Sequence, residues 1–331
     1  MKKILISMLA VAALVSCSKE ESIRVDQGEL IGFGNAFVDN ATRAASATDP
    51  SYSTIADKGV ALKSFNVYGA VNGVNIFNGN LVEKKDAAYG AAWTLTGNKQ
   101  YWIAGAAYKF VGVVDGSKSD VTEITPDAAG LPASISYTSD GATDLLCDVV
   151  TVNNAAAPYS LVAFNYTHLL SKVKFSVKNT TASDADNYRF VLTSAKLTNA
   201  YASGVYDVTA EAWDTNEMKD AKEFGLDLLT INSAATQYHN TELLLLPGAS
   251  VGVYVKAEIQ ATDDGTNWKK VSEVEKTFSN VVTLAQATAY NFVVELGVGT
   301  EIQFTAAEMP DWGNGNTDDT DGDNVNDAIV K

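Results

Sequence analysis

The sequence predicts an all-β protein built of antiparallel sandwiches, and three observations carry that expectation. Beyond about residue 55, apolar and polar residues alternate at a period of two almost everywhere. Turn dipeptides recur between the alternating runs, among them Asn78-Gly79, Gly97-Asn98 and Asp264-Gly265. Apolar spacing at the helical period is scarce. Alternation puts every second side chain on one face of a pleated strand, as a half-buried sheet requires. Many strands without the helical spacers of parallel units point to sandwiches.

The elements follow in chain order. In SFNVYGAV, Phe65 and Val67 share one face, with Asn66 and Tyr68 on the other. TDLLCDVVTV reads as either helix or strand. VNNAAAPYS, residues 152–160, has small residues, a proline and no alternation, and divides the chain near its middle. In KVKFSVKN, Val173, Phe175 and Val177 oppose Lys172, Lys174, Ser176 and Lys178. NEMKDAKEFGLDLL is expected to form one short helix. LLLLPG reads as a strand buried on both faces until Pro247-Gly248 ends it. VGVYVKAEIQA is a further strand. YNFVVEL puts Tyr290, Phe292, Val294 and Leu296 on one face, and EIQFTA does so with Ile302 and Phe304.

The two ends differ from this pattern. Lys2 and Lys3 precede an apolar run over residues 4–15, the order of a signal peptide's n- and h-regions. That run is shorter than the roughly 20 apolar residues of a spanning helix. It ends in Leu14-Val15-Ser16-Cys17, which resembles a bacterial lipobox, so Cys17 is expected to be acylated. Residues 313–331 are acidic and rich in Gly and Asn, the composition of a disordered tail. Asp319, Asp321, Asp323 and Asp327 have the spacing of oxygen ligands around Ca²⁺. The bidentate glutamate is missing and the motif occurs once, so a solvated tail is the preferred reading and no metal is assigned.

Composition bounds the function. The net charge of −16 and the scattered lysines exclude a nucleic-acid binder that works by neutralising phosphates. An acyl chain, not charge, would hold such a chain to a bilayer. Cys147 is the only cysteine besides Cys17, so a lipidated Cys17 leaves no intramolecular disulfide and stability must come from burial. The 331 residues suffice for one large or two medium domains. There is no phosphate-binding glycine loop and no H-E-x-x-H. His168 and His239 lack metal-ligand spacing, and Cys147 reads as a buried, inert thiol. The expectation is a protein that is not an enzyme and needs no cofactor.

Of three arginines, Arg24, Arg43 and Arg189, only Arg43 lies in an unpatterned segment directly after an apolar strand. That segment is DNATRAASATDPSYS, residues 39–53, and the strand before it is LIGFGNAF.

The ordered motifs resemble a fimbrillin-like protein of type V pili in Bacteroidota. Lipobox Cys17, LIGFGNAF, Asn40-Ala41-Thr42-Arg43-Ala44 and SFNVYG resemble the family's start. Trp93 followed by Tyr101-Trp102, Gly105, Tyr108 and Phe110 resembles its W…YW-x-x-G-x-x-Y-x-F stretch. Phe164, His168 and Ser171-Lys172-Val173 resemble its F-x-x-x-H-x-x-S-K-V stretch. Tyr290-Asn291-Phe292, Ile302-Gln303-Phe304-Thr305 and Asp311-Trp312 resemble its ending.

The resemblance implies two tandem transthyretin-like antiparallel β-sandwich domains. The expected division is a signal peptide at 1–17, a pro-segment at 18–43, sandwiches at 44–155 and 156–312, and the tail at 313–331. It also implies a surface-exposed outer-membrane lipoprotein cut between Arg43 and Ala44 by an arginine-specific protease. The removable strand would be residues 30–38, with Ile31, Phe33 and Phe37 facing the core. A strand from another fimbrial subunit would replace it by β-strand addition, and the fimbria would act in adhesion to a host or bacterial receptor. After Trp312 only Val325, Ala328, Ile329 and Val330 are apolar, so a tip or accessory role is expected over a stalk role. The alternative is a monomeric outer-membrane lipoprotein that binds glycan through some of its fourteen tyrosines and five tryptophans.

Overall fold

A computed structural model describes residues 28–34, 37–38, 52–55, 59–84, 92–116, 120–181, 187–232, 236–238 and 242–309. Cys17, Arg43, Ala44, Trp312 and the aspartates of 319–327 lie outside the described residues.

Alternating runs become strands, and among the described residues every regular element of more than one turn is a strand. The first half holds β1 (Phe37–Val38), β2 (Tyr52–Ile55), β3 (Gly59–Leu62), β4 (Ser64–Val71), β5 (Val74–Lys84), β6 (Trp93–Leu95), β7 (Tyr108–Val114), β8 (Thr122–Pro126), β9 (Pro132–Thr138), β10 (Leu146–Val152) and β11 (Asn165–His168). The second half holds β12 (Ser171–Asn179), β13 (Tyr188–Asp207), β14 (Ala212–Trp213), β15 (Lys219–Gly225), β16 (Thr230–Asn232), β17 (Thr236–Tyr238), β18 (Leu243–Leu245), β19 (Ser250–Ala261), β20 (Lys269–Thr283), β21 (Ala289–Leu296) and β22 (Gln303–Met309). Asn72 and Gly73 both have positive φ, 48° and 79°, which gives the two-residue hairpin between β4 and β5 the twist of its strands.

Three large sheets result. One runs β1-β11-β10-β7-β4-β5-β6. A second runs β17-β12-β21-β22, with β18 also on β12. The third runs β20-β19-β13-β9-β8, with β14, β15 and β16 on β13. Pairing is antiparallel except at β1 with β11 and β12 with β21, which are parallel.

Side chains from these sheets form two apolar cores. The first runs from Ile31 to Leu170 and recruits Tyr206, Val208, Leu244, Leu246 and Ala289; the second runs from Val173 to Ile302. The chain therefore first passes from one core to the other between Leu170 and Val173. The LLLL run shows why four leucines stand in a row. Leu244 and Leu246 enter the first core while Leu243 and Leu245 enter the second. A strand between two cores has no face left for polar residues.

The structure departs from expectation at two places. NEMKDAKEFGLDLL is not helical; it supplies β15, antiparallel to β13. Phe224 and Leu226 are its buried apolar residues, a period of two, because the edge of the long β13 supplies a ladder that a helix could not use. In β12 the polar face is buried as well: Lys172 is 2%, Lys174 7% and Ser176 0% exposed. Lys172 Nζ meets Glu242 Oε2 at 2.7 Å, and Ser176 Oγ donates to Asn291 Oδ1 at 3.3 Å, so these groups are paired, as burial demands. The ambiguous TDLLCDVVTV forms β10, between β7 and β11.

Candidate functional site

In the segment GELIGFG, residues 28–34, Ile31 and Phe33 alternate with Gly32 and Gly34. Ile31 and Phe33 point into the first core, each 5% exposed. Phe33 touches four rings from separate parts of the chain. Phe65, Phe77 and Phe110 meet it edge-on with centroids at 6.1, 5.9 and 6.4 Å. Phe164 stacks on it at 6.3 Å. Edge-on and offset contacts are the favourable geometries for aromatic quadrupoles.

The backbone of this segment is paired along both edges. On one side Ile31 N donates to Gln100 O and Trp102 N donates to Glu29 O, both at 2.9 Å, antiparallel about Leu30 and Tyr101. On the other side Val162 N donates to Gly32 O at 2.9 Å and Gly34 N donates to Val162 O at 2.8 Å, in a parallel bridge at Phe33. Three residues further on, β1 continues parallel to β11, with Phe37 opposite Asn165. The segment is thus an inserted strand whose removal would leave partners unpaired on both sides.

Its outward face is made of Leu30 and glycines. A Cβ on Gly32 would stand 2.7 Å from Leu161 Cδ2, and one on Gly34 3.0 Å from Leu161 Cβ. The glycines leave room for Leu161, itself 62% exposed, to lie across the strand.

The sequence motifs build the walls of this slot. Trp102 stacks on Tyr159 at 5.4 Å and meets Tyr108 edge-on at 4.7 Å, while Tyr108 Oη accepts from Ile103 N at 2.7 Å. Phe164 and Tyr166 line the other wall, 5.4 Å apart. His168 lies next along β11, its Nδ1 2.9 Å from Asp144 Oδ2, both inside the protein. Cys147 is buried in β10, and burial, with the charges of Asp148 and Glu211, pushes its thiol up to about 12. It stays protonated at neutral pH, so it is a packing residue and a poor nucleophile.

The residues singled out from sequence are therefore placed unevenly. Ile31 and Phe33 come together with the YW and F-x-x-x-H motifs. Phe37 lies in β1, and Cys17, Arg43 and Ala44 lie outside the described residues. Arg189 sits within β13, where its Nε donates to Gln260 Oε1 at 2.8 Å and its guanidinium stacks on Trp268 at 4.5 Å. Leu161 and the ring partner Phe77 stand in none of the sequence motifs, while Phe65 and Phe110 stand in two of them without being marked as parts of a site. Their signal was the period-two placement of aromatics, which marks a core without saying what fills it. Among the described residues no group of three or more His, Cys, Asp or Glu could hold a metal ion, and no helix is long and apolar enough to cross a membrane.

Comparison with known proteins closes the question of family. The structure is similar to that of a fimbrial protein from Bacteroides vulgatus, at 14% identity and a TM-score of 0.56, over 86% of this chain and 100% of that one. It is also similar to a candidate cell adhesion protein from Bacteroides uniformis, at 14% identity and a TM-score of 0.50, over 86% and 98%. At that identity the likeness is one of fold. No curated protein matches the sequence. The model of the fimbrillin-like family matches residues 43–312, and the chain belongs to that family.

Proposed function

We propose that this chain is a fimbrial adhesion subunit whose residues 30–38 occupy its own first sandwich until proteolysis removes them. The observation that carries the reading is the two-sided insertion of Ile31 and Phe33 between residues 100–102 and Val162. A strand bonded on both edges keeps the sheet closed and excludes a partner strand. Its loss exposes an apolar slot with unpaired backbone on either side, the kind of edge that takes up another strand.

In this reading Cys17 carries the acyl chain to the outer membrane, and an arginine-specific protease cuts after Arg43. The alternative arginine within the described residues supports that assignment. Arg189 is half-buried in a central strand, whereas proteases cut exposed, extended segments. After the cut, another fimbrial subunit supplies a replacement strand, and the assembled fimbria meets a host or bacterial receptor.

The test compares wild type with Arg43→Ala in cells that hold the arginine-specific protease. Wild-type surface protein should begin at Ala44, and the variant should keep its full precursor mass. An unchanged mature mass in the variant would sink the cleavage assignment. Purified precursor cut after Arg43 should take up a peptide strand and not polymerise alone. Long homopolymers in electron micrographs would place the chain in a stalk and overturn the terminal role expected from residues 313–331.

A further inference from the structure

Strand β13 is twenty residues long and serves both cores. Its first part pairs with β19, from Tyr188 opposite Ala261 to Thr198 opposite Gly252. Its last part, from Ser203 to Asp207, pairs with β9. Between them the register against β15 breaks, with a bulge between Leu197 and Ala200. Two residues other than glycine adopt left-handed backbone around this break: Asn199 at φ 62° and Asp220, on the facing β15, at φ 56°. Backbone held this way in the interior of paired strands is uncommon and clusters at binding sites.

The break opens a cleft of about 180 Å³ lined by Asn199, Tyr201, Asp220, Ala221, Ala249 and Ser250. Tyr201 is half-buried and packs against both cores, so the cleft lies where the two meet, a favoured place for ligand sites. Its volume is below the roughly 300–1,000 Å³ of pockets for drug-sized ligands, and suits a single ring.

We propose that this cleft binds one hexopyranose unit of a glycan. Tyr201 supplies an aromatic side chain with an apolar ring and a polar tip, the combination that suits a sugar's C–H face and its hydroxyls. Asp220, exposed and charged, accepts from two neighbouring hydroxyls, the stronger kind of hydrogen bond. Asn199 Nδ2 donates to Ser250 O at 2.7 Å, which fixes the amide and leaves its Oδ1 to accept from a third hydroxyl. Ala249 and Ala221 keep the remaining walls small. The site is remote in sequence from residues 30–38 and does not depend on strand exchange.

The test is saturation-transfer NMR on the purified chain with methyl α-D-mannopyranoside and methyl β-D-galactopyranoside as probes. At least one should bind saturably with a Kd on the order of 1 mM, the affinity that ligand efficiency gives a molecule of this size. Asp220→Asn keeps a residue suited to left-handed backbone and should weaken binding about tenfold, as loss of a charged acceptor does. Tyr201→Leu should abolish it; circular dichroism checks its fold, and Asp220→Asn carries the test if that variant unfolds. No saturable binding of either probe, or unchanged affinity in Asp220→Asn, overturns the proposal. Neither result bears on cleavage after Arg43.

Discussion

Replacing Phe33 with alanine tests whether the N-terminal strand is a structural part of the first core. The ring is 5% exposed and touches four others at 5.9–6.4 Å. Truncating a buried Phe costs about 3–5 kcal/mol, the lost transfer free energy plus the cavity left behind. The cavity here should persist. Phe65, Phe77 and Phe110 belong to β4, β5 and β7, which are held to one another by ladder hydrogen bonds, so the walls cannot close in. The expected loss is therefore in the upper half of that range, about 4–5 kcal/mol, a large share of the roughly 5–15 kcal/mol that stabilises a typical domain. Leu30→Ala is the control. Its side chain lies on the outward face at 43% exposure, and the loss should stay below about 1 kcal/mol. The assay is equilibrium unfolding of the uncut chain in urea, read as a lowered midpoint with an unchanged slope. A loss for Phe33→Ala below about 1 kcal/mol, or no greater than for Leu30→Ala, would mean that the strand adds nothing to the core.

Three other predictions follow from the packing and the charges. Gly112→Ala would place a Cβ 2.3 Å from the hydroxyl of the fully buried Tyr166, so thermal unfolding should show a loss of about 1–3 kcal/mol from overpacking; an unchanged melting temperature would contradict the tight wall. Cys147, with its thiol pushed up to about 12, should resist a thiol-specific reagent at pH 8 in the folded protein and react only as urea unfolds it; prompt stoichiometric labelling without urea would contradict its burial. Asp264 accepts from the backbone of Asn267 and Thr266 and from the side chains of Asn267 and Thr262, which holds its carboxyl well below the ordinary carboxylate range. Because the folded form binds a proton less readily, its contribution to stability is present above the unfolded value of about 3.9 and fades as pH falls through the lower folded value. NMR titration should find this carboxylate still ionised at about pH 3, and a midpoint near 3.9 would contradict the turn's hydrogen bonds.

The all-β class, and in the alternating runs the apolar face of each strand, were legible in the sequence alone. Alternation in LIGFGNAF put Ile31 and Phe33 on one side and Gly32 and Gly34 on the other, because consecutive side chains on extended backbone must point apart. The LLLL run announced a strand covered on both faces for the same reason. What the sequence could not determine was the partner of each face and edge. The inserted segment pairs with Tyr101 and with Val162, some 70 and 130 residues away, and loop closure grows too slowly with length to favour near neighbours over these distant ones. Nor does a period of two reveal what lies over the polar side of a strand. Lys172, Lys174 and Ser176 read as a solvated face, yet are buried once that side of β12 is covered. The charged run NEMKDAKEFGLDLL reads as a helix in isolation, and becomes β15 only because β13 offers it an open edge. The cleft at Tyr201 depends on the same circumstance: it exists where one strand bends from one core to the other, and that bend is a property of the assembled sheets rather than of any local stretch of chain.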